Sequence, residues 1–128
     1  MYKGNSVLIQ NAAGKYLLQF RDGTAGINNP LTWNFFGGGA EDEEDALSCA
    51  AREMAEELCV SAPTDHFELL ADEVVDGVQE ALVRYKYPLE WTDVDIQEGA
   101  GGGFFTREEA LQIPLTPLAR VWVERFFS

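Results

Sequence analysis

The sequence predicts a single α/β or α+β domain, residues 1–128, in which a mixed β-sheet lies between helices. Apolar, extended segments occur on both sides of one amphipathic helix, and a second well-capped helix is predicted at about residues 116–126. The 128 residues are the length of one ordinary domain, and 46% of them are hydrophobic. A chain of this size and composition can bury a substantial core.

The first 40 residues predict three strands. Residues 6–10 and 16–20 are rich in apolar and aromatic side chains, and the turn residues at 11–15 between them indicate a hairpin. Residues 21–30 are polar and contain two glycines, which is typical of a loop. The short strand predicted at 33–36 leads into three glycines at 37–39, where we expect a loop whose backbone approaches a ligand closely.

A helix is predicted from about Glu43 to Leu58, with Asp42 as its N-cap. Its apolar positions recur at helical spacing and are Leu47, Ala50, Ala51, Met54 and Leu58. Glu53, Glu56 and Glu57 are spaced i, i+3 and i+4, so they fall within an arc of roughly 100° beside the apolar face. No basic residue lies among these carboxylates, and Arg52 is at the edge of the cluster. Such a set suits a hard divalent cation such as Mg²⁺, which takes oxygen ligands; a solvated acidic face is the alternative.

The second half of the chain predicts a hairpin and two short helices. Residues 67–75 and 78–89 are strand-like and flank Asp76-Gly77, a strong signal for a type I′ turn. Residues 91–103 are expected to form an irregular loop that carries Glu98, followed by extended residues at 104–105. The two helix starts are a capping box at Thr106–Glu109 and the pair Thr116-Pro117, and the buried face of the last helix is assigned to Leu118, Val121, Trp122 and Phe126.

The strand, the glycines and the acidic helix occur in an order that resembles the Nudix hydrolase family. Its signature is G-x5-E-x7-R-E-U-x-E-E-x-G-U, where U is aliphatic, and the residues in register are Gly38, Glu44, Arg52, Glu53, Met54, Glu56, Glu57 and Val60. Six identities at these fixed spacings are expected by chance in fewer than about one chain in a thousand. Cys59 departs from the signature glycine, and Glu43 stands where many members carry glycine. Because glycine usually supplies a left-handed helix end, Cys59 is expected to alter the helix exit or to lower stability by up to about 1 kcal/mol.

The resemblance implies an α/β/α sandwich around a central mixed sheet, and hydrolysis of a nucleoside diphosphate linked to another moiety, assisted by Mg²⁺ or Mn²⁺. It implies that Glu53, Glu56 and Glu57 are metal ligands, one of which deprotonates the attacking water, and that Arg52 braces the preceding loop through a carboxylate such as Glu44. The other implied site residues are Gly37, Gly38 and Gly39 for substrate binding, Glu41 as a supporting ligand, and Glu98 as a catalytic or metal-binding residue in a late loop, with a merely exposed acid as the alternative for both glutamates.

Charge restricts the partners further. The formal net charge is −13, which argues against nucleic acid polymers and makes a cation necessary for a phosphate-rich ligand. The N-terminus shows no apolar signal segment and no run reaches transmembrane length, so a cytoplasmic monomer or homodimer that binds no membrane is expected. Housecleaning nucleoside triphosphatases that act on oxidised dGTP are similar in size, while ADP-ribose, dinucleoside polyphosphates and sugar nucleotides stay open. The alternatives of other classes are a non-catalytic nucleotide sensor on the same fold and an acidic interaction module.

Overall fold

The computed structural model describes residues 3–21, 31–97 and 101–128. The strands are β1 (Lys3–Leu8), β2 (Tyr16–Phe20), β3 (Trp33–Asn34), β4 (Phe36–Gly39), β5 (Phe67–Val75), β6 (Val78–Tyr85) and β7 (Gly101–Phe105). The helices are α1 (Ala46–Leu58), α2 (Arg107–Ala110) and α3 (Pro117–Phe126), and single 3-10 turns occupy Thr64–His66 and Trp91–Asp93. Within these ranges no helix combines the length and the apolar character needed to cross a membrane.

The strands form two sheets. The larger sheet has the order β4-β1-β6-β5, and it is mixed, because β1 runs parallel to β6 while the other neighbours are antiparallel. The smaller sheet has the order β3-β2-β7, with antiparallel pairs throughout. The predicted central mixed sheet is therefore confirmed, and the three-stranded second sheet is an addition that the sequence patterns did not reveal.

The larger sheet is packed on both faces. On one face, Val7 and Val83 pack with Met54 of α1, and on the other, Leu8 and Leu82 pack in a cluster with Trp122 of α3. Alternate residues of β1 and β6 thus enter opposite cores, as the pleat of a strand requires. This arrangement places α1 and α3 on opposite sides of the sheet, which confirms the predicted layers.

The three glycines form an edge strand rather than the expected loop. Gly37–Gly39 belong to β4 and pair with Ser6, Asn5 and Gly4 of β1. Gly37 has φ +149°, and a Cβ there would lie 1.9 Å from the carbonyl oxygen of Asn5. The group that this backbone approaches closely in the structure is strand β1, and the predicted approach to a ligand stays a prediction. Consequently the segment predicted as one strand at 33–36 divides between the two sheets.

The N-terminus of α1 differs from the prediction. The N-cap is Asp45, whose Oδ1 accepts a hydrogen bond of 2.7 Å from the backbone N–H of Ser48, so Asp42 is not the cap. Glu43 lies outside the helix because its φ is +61°, in the left-handed region. That conformation explains physically why many members of the resembled family carry glycine there.

Other boundaries shift by a few residues. The first strand is Lys3–Leu8 rather than 6–10, the strand predicted to reach Leu89 ends at Tyr85, and the last strand begins at Gly101 because it pairs with β2. The predicted Asp76-Gly77 turn is confirmed, with φ of +51° and +79°. The capping box at Thr106 and the Thr116-Pro117 start are also confirmed. On α3 the fully buried residues are Ala119, Trp122 and Val123, whereas the predicted Leu118, Val121 and Phe126 are partly buried.

Cys59 ends α1 in the left-handed conformation that the family signature assigns to glycine. Its φ and ψ are 59° and 31°, and its N–H donates to the carbonyl oxygen of Ala55 at 3.1 Å. The helix exit therefore keeps its geometry despite the thiol side chain. The remaining consequence of the departure is the energetic cost of a Cβ in this conformation.

We expect Cys59→Gly to raise the free energy of unfolding by up to about 1 kcal/mol, because glycine adopts the left-handed region without steric cost. Urea unfolding followed by circular dichroism measures the change. Cys59→Ala is the matched control, since it removes the thiol and keeps the Cβ, and it should stay close to wild type. An equal gain in both variants would show that the thiol, rather than the backbone, is responsible.

Candidate active site

Arg52 is the centre of the polar network on α1. Its Nε and one terminal nitrogen donate to the two carboxylate oxygens of Glu44, at 2.9 and 3.0 Å, and that nitrogen also donates to the carbonyl oxygen of Gly39 at 3.0 Å. The other terminal nitrogen lies 3.1 Å from Glu53 and 3.2 Å from Glu56. The predicted brace between Arg52 and Glu44 is present, and it also ties the helix to the end of β4.

Charge stabilises this brace. The hydrogen bond from Arg52 lowers the pKa of Glu44 to about 2, although burial opposes the shift. The same bond raises the pKa of Arg52. Glu41 completes the turn before the helix, because its backbone N–H donates to Glu44 at 3.0 Å and its carboxylate lies 3.6 Å from Arg52. Glu41 itself is largely exposed, so the structure shows it as an outer member of the network.

Two of the helix carboxylates face the glycine strand. Glu57 is 5% exposed and accepts a hydrogen bond of 3.1 Å from the backbone N–H of Gly37. Glu53 is 8% exposed, and a Cβ at Gly38 would lie 2.6 Å from its Oε1. Only glycine at position 38 leaves room for the Glu53 carboxyl. Glu56 has a side chain that is 59% exposed, and it lies at the solvent side of the same helix face.

Burial raises the pKa of Glu53, and the charge of Glu56 adds to this effect. Arg52 and a side-chain hydrogen bond with Glu57 act in the opposite direction. A carboxyl in this position has lost most of its water and is only partly compensated by protein groups. Additional positive charge beside Glu53 would favour its ionised form.

The expectation of three unpaired carboxylates is wrong, because Arg52 contacts two of them. Among the residues that the structure describes, no group of three carboxylate, imidazole or thiol side chains is arranged to hold a metal ion. The donor chemistry nevertheless fits a hard cation, since Glu53 and Glu57 are buried oxygen donors packed against a backbone free of side chains.

A cavity of about 180 Å³ adjoins this site between the two sheets. Gly37 and Gly38 line it, and these are the glycines that contact Glu57 and Glu53. Ligand sites are commonly concave regions with a few convergent polar groups. The arrangement offers one continuous path from the cavity, past the glycine backbone, to the carboxylates of α1.

Glu98 lies outside the described residues. The segment before it is tied to the end of α1, because the backbone N–H of Gln97 donates to the carbonyl oxygen of Glu57 and that of Asp95 to the carbonyl oxygen of Leu58, both at 2.9 Å. Gly101, which follows, begins β7. The chain therefore approaches position 98 from the end of α1 that carries Glu57.

The sequence analysis missed Glu80, which is 7% exposed and lines the cavity. It lies within a strand, and a charged residue there is ordinarily assigned to the solvent face. The available signal was its alternation with Leu82, since residues i and i+2 share one face of a strand. Leu82 is fully buried on the α3 side of the sheet, and Glu80 points the same way.

Comparison with known proteins identifies the family of the chain and structures with a similar fold. The NUDIX domain family model matches residues 3–126, and comparison with curated proteins gives no match. The solution structure of the E. coli ORF135 protein is 29% identical, with a TM-score of 0.74 and coverage of 98% of this chain and 88% of that one. A MutT structure described for Aliivibrio salmonicida and Vibrio cholerae is 16% identical, with a TM-score of 0.75 and 98% coverage of both chains. E. coli dihydroneopterin triphosphate pyrophosphohydrolase is 17% identical, with a TM-score of 0.73 and coverage of 98% and 94%.

The last two likenesses, both below 25% identity, show the fold alone. The family model spans nearly the whole chain. The chain belongs to the Nudix hydrolase family and is a pyrophosphohydrolase.

Proposed function

We propose that this chain uses Mg²⁺ or Mn²⁺ to hydrolyse the pyrophosphate bond of a nucleoside diphosphate derivative, with nucleoside triphosphates, oxidised ones included, as the first candidates and ADP-ribose-like nucleotides next. The observation that carries the proposal is the contact of two buried carboxylates, Glu53 and Glu57, with the glycine strand beside the cavity. Nudix hydrolases generally use divalent metals. The name of the dihydroneopterin triphosphate pyrophosphohydrolase neighbour agrees with a triphosphate substrate.

Glu53, Glu56 and Glu57 are the proposed metal ligands. A divalent cation held by these residues would supply charge neutralisation for the phosphates and would acidify the attacking water. Glu53 and Glu56 are the candidates for accepting the proton of that water. Glu53 is supported by its burial, which raises its pKa toward the range that suits a general base, and Glu56 by its exposure to entering solvent.

The backbone of Gly37, Gly38 and Gly39 is the proposed surface for the phosphates. A Cβ at position 37 would collide with Asn5 and one at position 38 with Glu53, so glycine keeps the backbone at these two positions accessible from the cavity. Close approach of a phosphate to peptide N–H groups is a common use of glycine. The proposal therefore assigns the base to the cavity and the phosphates to the path along β4.

Arg52, Glu44 and Glu41 are proposed as positioning residues. The bidentate bond between Arg52 and Glu44 holds the turn before α1, and the bond to Gly39 fixes that turn to β4. A forked, planar guanidinium suits this geometry better than a lysine ammonium. We assign Glu98 as an additional catalytic or metal-binding residue, supported by the bonds that tie Gln97 and Asp95 to the end of α1.

A panel of nucleoside triphosphates, oxidised dGTP, ADP-ribose, dinucleoside polyphosphates and sugar nucleotides tests the function directly. We expect Mg²⁺- or Mn²⁺-dependent release of a phosphate-containing product from at least one of them, and complete loss of turnover with excess chelator. The reason is that a chain with net charge −13 needs a cation to bring phosphate against its carboxylates. Nucleotide binding without any turnover would indicate a sensor, and undiminished turnover in chelator would overturn the metal requirement.

Glu53→Gln, Glu56→Gln and Glu57→Gln should each lower turnover at least about tenfold, because a neutral amide is a poor ligand for a hard cation. Their thermal stability should stay equal or rise, since each removes one of several neighbouring like charges. Turnover, Mn²⁺ affinity and thermal unfolding are measured for each variant. In the same series, Glu98→Gln should lower turnover strongly and change Mn²⁺ affinity little.

The control for this series is Glu108→Gln, an exposed glutamate on α2 that should keep wild-type turnover. Wild-type rates in two of the three α1 variants would mean that the catalytic face has been assigned incorrectly. A change below about twofold in Glu98→Gln would leave that residue as a merely exposed acid.

The brace predicts a specific dependence of stability on pH. The folded-state pKa of Glu44 is about 2, below its ordinary value of 4.5, so its ionic bond stabilises the native state fully above pH 4.5. That contribution is lost as the pH falls from about 4.5 toward 2, because the unfolded chain binds the proton first. We expect Glu44→Gln to lower the free energy of unfolding by about 1.5–3 kcal/mol at pH 7.

The difference in the free energy of unfolding between wild type and Glu44→Gln should be about 1 kcal/mol smaller at pH 3.5 than at pH 7, because pH 3.5 is one unit below the unfolded-state pKa of Glu44. Urea unfolding at both pH values measures it. Glu43→Gln, an exposed neighbour, is the control and should remain within about 0.5 kcal/mol of wild type at pH 7. A difference that is equal at the two pH values would show that the ionic bond is not what Glu44 contributes.

A further inference from the structure

The cavity between the two sheets contains a buried acid that the proposed hydrolysis does not use. Glu80 lies in β6, is 7% exposed, and lines the cavity of about 180 Å³. Gln19, which is 8% exposed, contributes a polar part of the cavity wall, and Phe35, which is 3% exposed, contributes an apolar part. A planar ring that entered the cavity would meet a mainly polar wall, in which Glu80 and Arg21 are the charged residues.

The neighbouring strand is shaped around this carboxyl. Gly4 of β1 is paired with Glu80 in the parallel ladder, and a Cβ at position 4 would lie 1.7 Å from Oε1 of Glu80. Any other residue at position 4 would displace the carboxyl from its place. The carboxyl of Glu80 thus occupies the space that a Cβ at position 4 would take. Burying a carboxyl in this way costs free energy.

In the described part of the protein, no hydrogen bond to the Glu80 carboxyl compensates this burial, and the nearest source of positive charge in the cavity wall is Arg21. Burial raises the pKa of Glu80, and no hydrogen bond or charge of a described residue opposes the shift. Glu73, the residue opposite Glu80 on β5, is also acidic. Glu73 forms an ion pair with Arg125 of α3. Like charges directly opposite in a sheet are destabilising. A buried acceptor without a partner is the kind of group that a ligand donor satisfies.

The cavity is continuous with the phosphate path. Gly37 and Gly38 line the cavity together with Glu80, and the same two glycines contact Glu57 and Glu53 of α1. A nucleotide whose phosphates lie at α1 would place its base in this cavity. Glu80 would then meet the base, far along the ligand from the bond that is broken.

We infer that Glu80 reads the nucleobase and selects guanine, through two hydrogen bonds from the ring N1–H and the exocyclic N2 amine to its two carboxylate oxygens. An ionised carboxyl only accepts hydrogen bonds, and its paired oxygens match two parallel donors. Guanine is the common base with a ring N–H next to an amine; adenine and cytosine have a ring acceptor beside theirs, and thymine has no amine. 8-Oxoguanine keeps the guanine edge. This inference rests on the proposed function, since it assigns the base of the same substrate.

Binding of nucleoside monophosphates tests the inference without hydrolysis. Titration calorimetry with the full chain and Mg²⁺ compares dGMP with dIMP, which lacks the exocyclic amine, and with dAMP and dTMP. Wild type should bind dGMP about 10- to 100-fold more tightly than the other three, the range expected for hydrogen bonds to a buried charge. Equal affinity for dGMP and dIMP in wild type would overturn the inference.

Glu80→Gln should bind dGMP no more than about threefold more tightly than dIMP, because an amide offers one acceptor and one clashing donor. Its affinity for dTMP should stay within about threefold of wild type. Its urea midpoint should equal or exceed that of wild type, since an unpaired buried charge is removed. A purely structural role would instead lower the midpoint and weaken all four ligands together.

Gly4→Ala is the second variant, because it keeps the carboxyl and moves it. It should lose the preference for dGMP over dIMP to the same degree as Glu80→Gln, whereas Glu108→Gln on α2 should keep it. Retention of the full preference in Glu80→Gln would refute the assignment. Triphosphate hydrolysis without base preference would refute this inference and leave the proposed function intact; selective dGMP binding without any hydrolysis would do the reverse.

Discussion

The organisation of the site depends on one cation, Arg52, held among acidic residues. Its guanidinium bonds both oxygens of Glu44 and the carbonyl oxygen of Gly39, and its remaining terminal nitrogen reaches Glu53 and Glu56. These contacts link the turn before α1, the end of β4 and the acidic face of the helix. In a chain with 22 acidic and 9 basic residues, Arg52 supplies the positive charge among these carboxylates.

The second constraint is the absence of side chains along β4. Gly37 accommodates the Asn5 carbonyl, and Gly38 accommodates the Glu53 carboxyl. As an edge strand of the larger sheet, β4 pairs with β1 on one side only. The backbone of β4 therefore pairs with β1, contacts the carboxylates of α1 and forms part of the cavity wall.

The sequence was sufficient for features that depend on local patterns. The carboxylate arc of α1, the Asp76-Gly77 turn and the Thr106 and Thr116 caps follow from residue type and spacing within a few positions. The start of α1 did not follow, because Asp42 and Asp45 are equally good caps by sequence. In the structure Asp45 is the cap, Glu44 before it is bonded to Arg52, and Glu43 has a positive φ.

Strand pairing was the other limit. Three consecutive glycines predict a loop, since glycine weakens an isolated strand. Pairing with β1 overrides this preference, and it becomes visible only when the partner strand is in place. Glu80 escaped notice for a related reason, because a single charged residue in a strand indicates solvent unless the opposite position is known to be Gly4. Both failures concern contacts between residues that are distant in sequence.

Glu53 and Glu80 show how two buried carboxyls on either side of one sheet acquire different chemistry. Burial raises the pKa of each, but Glu53 is opposed by Arg52 and by a hydrogen bond with Glu57, while Glu80 meets no such group among the described residues. Glu53 therefore belongs to a set of charges in which one cation can replace another. Glu80 is a single acceptor against a glycine, so neutral N–H donors suffice for it. The β-sheet separates an ionic site from a hydrogen-bonding site, and the glycines of β4 connect them.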